Sequence, residues 1–200
     1  MAYLWLSAGM GALILFGTVQ VTMMGSAFRT GERMRAVQWV GFAAAIGGLV
    51  YLLLPGISAP SPVGALLMGI AGVAWGLYSI AGRGVAAPVR MTAGNFLRAA
   101  PMALIVSALA FSHVSLEVSG ILLALASGAI TSGLGYVLWY KTLPMLSTIQ
   151  ASTVQLLVPI LAALGGVALL SEQITIRLTI ASGLILGGVA LSVLKTRRRA

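Results

Sequence analysis

The sequence predicts an all-α integral membrane protein with about seven transmembrane helices. Sixty per cent of its 200 residues are hydrophobic, only 8% are charged, and the mean hydropathy is +1.06. A soluble domain carries about 25% charged residues, so this chain has too few to cover a water-facing surface. Apolar runs long enough to cross the hydrocarbon core as helices occur at 3–27, 37–54, 63–82, 96–112, 118–140, 146–170 and 174–194.

The runs themselves favour helices. They lack the ten-residue alternation of a membrane β-barrel strand. The first run has no basic residues before it and is too long for a signal peptide, so it is predicted to span the membrane. The fourth run is short, and Asn95 and Arg98 open it. Arg98 and Arg177 lie near predicted helix ends, where a long side chain reaches the membrane surface.

The basic residues predict the orientation. Positively charged residues concentrate in cytoplasmic connections, which places the N-terminus outside the cell and the tail in the cytoplasm. The membrane is predicted to be the plasma (cytoplasmic) membrane, which is the inner membrane of the cell. This distribution explains the net charge of +9 as a topology signal, so the lipid bilayer, and not nucleic acid, is the expected partner. Arg177 is the exception, whereas the connections after the first, third and fifth runs, with the tail, carry Arg29, Arg33, Arg35, Arg83, Arg90, Arg98, Lys141, Lys195, Arg197, Arg198 and Arg199.

Several classes of function are disfavoured by what the sequence lacks. It has no cysteine, so disulfides and thiolate metal sites are excluded. It contains no G-x-x-x-x-G-K-[ST] loop for nucleotide hydrolysis, and neither the HExxH nor the GxSxG motif. With one histidine and three glutamates, we expect no enzyme, no metal and no cofactor.

A weak internal repeat joins the two ends of the chain. Residues 25–53 align without a gap on 165–193, which places Glu32 on Glu172. The charge distribution puts Glu32 inside and Glu172 outside, so the two copies cross the membrane in opposite directions. Inverted repeats of this kind are typical of secondary transporters. The other identities are glycines, Gly25 with Gly165, Gly47 with Gly187 and Gly48 with Gly188.

The second copy resembles a known family. "VPILAALGGVALLSEQITIRLTIASGLILGGVAL" resembles the closing hairpin of the EamA-type domain of the drug/metabolite transporter (DMT) superfamily, and "LLMGIAGVAWGLYSIAGRG" is similar to the opening helix of that domain. The residues that match the closing pattern are Pro159, Ala162, Gly165, Glu172, Gly183 and Gly187.

The resemblance implies an inverted-repeat helical bundle. Such proteins usually have ten helices in two five-helix repeats. Residues 1–57 would then be the last two helices of a first, partial repeat, 61–195 a complete second repeat, and 196–200 a basic cytoplasmic tail. The implied function is secondary, ATP-independent transport of small organic metabolites or drugs by an N-terminally truncated form. A second copy, as a homodimer, or a separate partner would then supply the three absent helices.

The best candidates for substrate contact lie in the sixth run. Pro159 has no backbone N–H to donate, so the carbonyl of Gln155 loses its usual helical partner. A carbonyl without a partner and a polar side chain thus belong to the same residue. Unpaired polar groups inside a membrane normally face a cavity or a packed interface. Gln20 forms a similar polar position in the first run. The alternative for both glutamines is a hydrogen bond that serves only helix packing.

Further candidates are weaker. Glu32 and Glu172 follow polar turn residues, and for them we predict helix capping and anchoring of the turn, because a negative charge complements a helix N-terminus. The remaining candidates for substrate contact each have a packing or orientation role as the alternative, and they are Trp75, Tyr78, Asn95, Arg98 and Tyr136.

Two alternatives to a transporter stay open. Seven helices with an outside N-terminus also describe a retinal protein or a receptor, but a retinal protein needs a lysine inside the bundle. Lys141 and Lys195 both lie at predicted helix ends. The second alternative is a non-transporting remnant or helix-bundle assembly partner, in which the polar positions serve packing alone.

Overall fold

A computed structural model describes residues 6–54, 61–109, 117–170 and 173–193. Almost all of this part of the chain is helical, and it contains no β-strand. Seven segments within it are long and apolar enough to cross a membrane. The predicted all-α, multi-pass membrane fold is therefore confirmed.

The seven spans contain nine helices in the described ranges. A π-helical segment, Ser127–Leu134, joins two of them within the fifth span, and a 3₁₀ turn, Leu143–Met145, closes that span. The sixth span is also built from two helices. The helices are α1 (Ala8–Arg29), α2 (Ala36–Leu53), α3 (Pro62–Gly82), α4 (Pro88–Leu109), α5 (Val118–Ala126), α6 (Gly135–Thr142), α7 (Thr148–Val154), α8 (Leu157–Leu170) and α9 (Ile176–Val193).

The fourth span begins earlier than the sequence predicted. α4 starts at Pro88, so Asn95 and Arg98 lie inside the helix and do not open it. Proline at the first helical position has the right φ for a helix and loses no hydrogen bond. Arg90 and Arg98 interrupt the apolar run, but their side chains are exposed, and an exposed arginine is a good helix former.

The helices group into two compact units. The first comprises residues 1–80 and 146–200, and the second comprises 81–145. These units reflect packing in space, whereas the predicted repeats follow chain order, so the repeat boundaries at 57 and 61 stay a prediction. The core of the first unit is formed by Phe16, Ala45, Leu49, Leu156, Ile160, Leu178, Ala181, Ile185 and Val189.

Glycines bring α2 and α9 into close contact in the first unit. A Cβ atom on Gly48 would lie 2.8 Å from Cγ1 of Ile185, and one on Gly188 would lie 2.7 Å from the backbone nitrogen of Ala45. Carbon atoms pack best at about 3.5–4.0 Å, so the helices can approach this closely only where a side chain is absent. Small residues are the usual means of close helix packing in membranes.

The contacts between α2 and α9 come in pairs related by the repeat. The offset that places Gly48 on Gly188 also places Ala45 on Ile185. The contact of Gly48 with Ile185 is therefore the counterpart of the contact of Gly188 with Ala45. Because Gly41 lies against Gly188, further along α9 than Ile185, the helices are antiparallel. This local two-fold symmetry is the relation that an inverted repeat requires.

The close approach of α2 and α9 predicts that substitutions of two adjacent glycines affect stability differently. Gly188→Ala should destabilise the protein by about 1–3 kcal/mol, because the added methyl group meets the backbone of α2. Gly187 has no atom within 4 Å of its Cβ position, so Gly187→Ala should be neutral, or stabilising by up to about 1 kcal/mol through its better helix propensity. Thermal unfolding in detergent measures both, and equal midpoints would contradict the packing described above.

Candidate substrate-binding site

The sixth span is interrupted between α7 and α8, at Gln155 and Leu156. The N–H of Gln155 donates to the carbonyl of Ser152 at 3.2 Å, three residues earlier. Pro159 removes the usual donor to the Gln155 carbonyl, as expected, but Val158 takes its place with an N–H at 3.1 Å. The chain has tightened into turns of the 3₁₀ type. This carbonyl therefore has a backbone donor in spite of the proline.

The side chain of Gln155 is buried at the interruption, with 4% of its surface exposed. Its Nε2 lies 2.9 Å from Sδ of Met23 and 3.5 Å from the carbonyl oxygen of Ala151. Its Oε1 has no hydrogen-bond partner in the described part of the chain. The carboxamide thus uses its donor group and leaves its acceptor unpaired.

Gln20 of α1 repeats this arrangement. It is 3% exposed, and its Nε2 donates to the carbonyl of Ser152 at 2.7 Å. That carbonyl is the one that also accepts from the backbone of Gln155. The Oε1 of Gln20 again lacks a partner among the described residues. Two unpaired carboxamide oxygens therefore belong to side chains that bond to adjacent carbonyls of α7, those of Ala151 and Ser152.

The surrounding hydrogen bonds fix the orientation of both amides. A carboxamide oxygen cannot face a carbonyl oxygen, so the NH₂ groups of Gln20 and Gln155 must point to the backbone. The nearby hydroxyls of Ser152 and Thr153 both donate to the carbonyl of Ile149, at 3.0 and 2.9 Å. Each hydroxyl has a single hydrogen, so neither serves the glutamines. An unpaired buried polar group costs about 1–3 kcal/mol.

An apolar wall adjoins the glutamines. Phe16 precedes Gln20 by one turn of α1, and its ring centroid lies 5.5 Å from that of Trp75 on α3. Trp75 is half-buried and packs on the core that contains Leu156 and Ile160. Aromatic and aliphatic walls with a few polar groups are typical of small-molecule sites. Trp75 is thus the predicted aromatic residue that lies in this core.

The other predicted residues are distributed between the two units. Tyr78 is half-buried on α3, in the first unit. In the second unit, Nδ2 of Asn95 lies 3.5 Å from the hydroxyl oxygen of Tyr140, and the ring of Tyr136 lies 6.5 Å from the ring of Tyr140. Arg98 is exposed on α4. The predicted set is therefore divided between the two units, with Gln20, Gln155, Trp75 and Tyr78 in the first and Asn95, Arg98 and Tyr136 in the second.

We call Gln20, Met23, Ser152 and Gln155 the glutamine cluster, and the sequence did not indicate two of these residues. Met23 and Ser152 are fully buried there. Met23 follows Gln20 by three residues, so the helical spacing could have placed it on the same face of α1. Ser152 contributes its backbone carbonyl, which no residue type reveals. Ser79 of α3 is also fully buried, and its hydroxyl has no partner among the described residues.

Glu32 follows a well-defined helix end. The N–H of Gly31 donates to Phe28 at 3.1 Å and the N–H of Glu32 to Ala27 at 2.9 Å, the two bonds of a Schellman motif. Gly31 has a φ of +83°, which glycine adopts without strain. The motif places Glu32 just beyond the end of α1.

The carboxylate of Glu32 caps α7, a helix that begins 116 residues later. Its Oε1 accepts from the N–H of Thr148 at 2.9 Å, and its Oε2 from that of Ile149 at 3.2 Å. The Ser147 hydroxyl accepts from the N–H of Gln150 at 3.2 Å, and Oε1 of Gln150 accepts from the N–H of Ser147 at 3.0 Å. The amides at the start of α7 are thereby satisfied, and the negative charge complements the helix dipole.

Two glutamines connect these helix starts to the end of α9. Nε2 of Gln150 donates to the carbonyl of Val193 at 3.1 Å, and Nε2 of Gln38 donates to that of Ser192 at 3.3 Å. Oε1 of Gln38 in turn accepts from the N–H of Arg35 at 2.9 Å, at the start of α2. We call these contacts, with those of Glu32, the helix-end junction. It joins α1, α2, α7 and α9.

Of the two glutamates that were predicted to cap helices, only Glu32 lies within the described residues. Glu32 was predicted to cap the helix that follows it. This prediction is wrong, because α2 begins only at Ala36. Glu172 lies outside the described residues. No group of three or more His, Cys, Asp or Glu side chains occurs in the described ranges, so this part of the chain offers no metal centre.

Comparison with known families decides the class of protein. Residues 62–194 match the model of the EamA-like transporter family, from α3 to the end of α9. The chain belongs to this family. The resemblance to an EamA-type domain is thus confirmed. Family membership supports a DMT-type transporter and not an enzyme.

Relatives of this EamA-like protein are longer than the chain. It is 50% identical over 190 residues to the uncharacterized protein PA1977 of Pseudomonas aeruginosa, which covers 95% of this chain and 66% of that protein. It is 25% identical over 182 residues to the uncharacterized transporter YoaV of Bacillus subtilis, which covers 87% of this chain and 62% of that protein. The chain therefore spans about two thirds of the length of these relatives.

A solved structure has a similar arrangement of helices. The match to this crystal structure of a protein covers 96% of the EamA-like chain and 71% of the chain in the crystal structure. Its TM-score is 0.81, and the two sequences are 26% identical. The likeness supports the arrangement of helices on which the glutamine cluster and the helix-end junction depend.

The helix-end junction predicts that one glutamate contributes more to stability than another. Glu32→Gln removes the charge at the start of α7 and should cost about 1–2 kcal/mol. Glu117→Gln is the matched control, because Glu117 is exposed and makes no capping bond through its side chain to α5. Thermal unfolding in detergent should show a lower midpoint for Glu32→Gln alone. Equal midpoints for both variants would mean that the cap does not stabilise the protein.

Proposed function

We propose that this EamA-like protein is a secondary transporter that carries a small organic solute, and that Gln20 and Gln155 contact this solute. The observation that supports the proposal is the pair of unpaired carboxamide oxygens at the interrupted sixth span. Polar groups inside a membrane are costly and tend to mark substrate pathways, and interrupted helices form the sites of many transporters.

The chemistry of the cluster indicates the class of solute. Both unpaired atoms accept hydrogen bonds, so the solute must present N–H or O–H donors, as an amino, amide or hydroxyl compound does. A carboxylate or phosphate would be repelled by the same oxygens. The rings of Phe16 and Trp75 suit an apolar portion of the solute. A neutral or cationic amphipathic solute therefore fits best.

The helix-end junction suggests how access to the cluster changes. Transport without nucleotide hydrolysis requires that one part of the bundle moves against another around a fixed site. The junction ties four helix ends together at one side of the first unit. The break at Gln155 divides the sixth span into a part held by the junction, α7, and a part beyond it, α8. Relative motion of these two parts would open the cluster.

The partner of the transporting unit stays a prediction. The expected partner is a second copy or a separate chain that adds helices, and chemical cross-linking of the protein in its native membrane would test it.

The proposed orientation has the N-terminus outside and the basic tail in the cytoplasm, because ten of the twelve basic residues lie in or next to the predicted inner connections or in the tail, and only Arg98 and Arg177 do not. Alkaline phosphatase, which is active only outside the cytoplasm, should be inactive when fused after residue 200 and active when fused after residue 57. The reverse pattern would overturn the orientation.

Substitution of the glutamines tests the proposed transport. The full chain in proteoliposomes should take up at least one solute from a radiolabelled panel of neutral amino acids, primary amines, amides and polyols, and should exclude a dicarboxylate. Gln155→Leu and Gln20→Leu should each lower that uptake about tenfold, because one hydrogen bond to the solute is worth about 1.4 kcal/mol. Gln173→Leu, at an exposed position before α9, is the control and should leave uptake unchanged.

Stability measurements separate transport from packing. Leucine removes the unpaired oxygen and also the hydrogen bond that the side-chain NH₂ group donates. These two effects on stability oppose each other, so the unfolding midpoints of the two leucine variants should stay close to that of the parent. Midpoints that fall together with uptake would favour a purely structural role for the glutamines. The absence of uptake for every solute, by a protein that unfolds cooperatively, would count against the transport proposal itself.

A further inference from the structure

A cleft of about 560 Å³ lies within the second unit, beside the start of α4. The proposed transport site does not include it. Its walls carry two arginines and no acidic side chain, so it is positively charged. The residues that matter here are Ala87, Arg90, Met91, Gly94 and Arg98.

The two arginines lie on one face of α4. Arg90, Gly94 and Arg98 are spaced by four residues, about one helical turn each. A Cβ atom on Gly94 would lie 3.1 Å from Nη1 of Arg98, so the guanidinium of Arg98 folds back across Gly94 towards Arg90. Long helical side chains generally point towards the N-terminus. Glycine at position 94 leaves room for this guanidinium at the cleft.

The start of α4 adds to the positive potential. The helix begins at Pro88, and Ala87 before it lines the cleft. Alanine has no side-chain oxygen with which to accept from the first N–H groups of the helix. A helix N-terminus carries about half a positive charge, and here that charge adds to two guanidinium groups.

No carboxylate in the walls neutralises this charge. The sequence has three glutamates and no aspartate, and only Glu117 falls within residues 81–145. Glu117 directly precedes α5 and is not part of the cleft lining. An anion is therefore the complementary ligand.

We propose that this cleft binds a phosphate group, carried either by an anionic phospholipid or by a small soluble phosphate ester. Guanidinium groups bind phosphate oxygens in a bidentate fashion. Basic pockets beside transmembrane helices are typical sites for lipid phosphates. The apolar walls, which include Val85 and Met91, suit the glycerol and the first methylene groups of a lipid. The inference is independent of the proposed transport function, because it uses different residues and a different unit.

Binding to the full chain in a non-ionic detergent tests the proposal. Isothermal titration would use dihexanoyl phosphatidylglycerol, dihexanoyl phosphatidylcholine, glycerol 3-phosphate and sodium chloride as ligands. We expect saturable binding of phosphatidylglycerol or glycerol 3-phosphate, weakened about tenfold or more by the double variant Arg90→Gln/Arg98→Gln. The charge-matched control is Arg29→Gln/Arg33→Gln, at exposed positions of the first unit, and it should change binding by less than about twofold.

The outcomes distinguish the two sources of phosphate. Binding of phosphatidylglycerol alone indicates a lipid site, whereas equal binding of glycerol 3-phosphate indicates a soluble ligand. The variant Arg90→Lys/Arg98→Lys keeps the charge but loses the planar donor pair, so it should bind at an intermediate level. Should the parent protein bind neither phosphate compound, or should both glutamine double variants lose binding equally, the proposal is overturned. The parent measurement decides this even if the double variant fails to fold.

Discussion

The need to give every buried backbone group a hydrogen-bond partner is the constraint on which this structure depends. Thr148 and Ile149 are buried at the start of a helix, so their N–H groups need partners from the protein itself. Glu32, Ser147 and Gln150 together supply such partners to the first amides of α7. Because Glu32 comes from the end of α1, a requirement of one helix fixes its position against another. Gln38 and Gln150 extend the same logic to the end of α9, so caps here also serve as tertiary contacts.

The interior of the sixth span treats the same constraint differently. The hydroxyls of Ser152 and Thr153 and the carbonyl of Gln155 all find local partners. The carboxamide oxygens of Gln20 and Gln155 do not, at a cost of about 1–3 kcal/mol each. Leucine at either position would avoid this cost. These acceptors stay unpaired beside the satisfied hydroxyls of Ser152 and Thr153, which favours a function other than folding.

The sequence was sufficient for the fold class but only partly sufficient for the candidate site. Apolar runs and the positions of the charges predicted seven spans, since both follow directly from the hydrophobic thickness of the membrane. Gln155 was visible because Pro159 marks an interruption. The partner of Glu32 was not, because the residues it caps lie 116 positions away and act through backbone groups that carry no sequence signal. The backbone N–H that replaces the donor missing at Pro159 was hidden for the same reason. The start of α4 was missed because an exposed arginine inside a helix resembles a helix end in a hydropathy pattern.

The positions of the two glutamines connect binding to motion. α7 has only seven residues, and its start is fixed by the junction, so any bending of the sixth span during the proposed transport would be concentrated at the break that follows it. Pro159 lacks the N–H that would resist such bending. Both glutamine side chains bond to α1 or α7, Gln155 to Met23 and Ala151 and Gln20 to Ser152, whereas α8 lies beyond the break. A ligand shifts a conformational equilibrium only through a difference in affinity between the states. On the proposed function, a solute bound to both oxygens would have such a difference if its apolar portion contacted α8 at only one degree of bending.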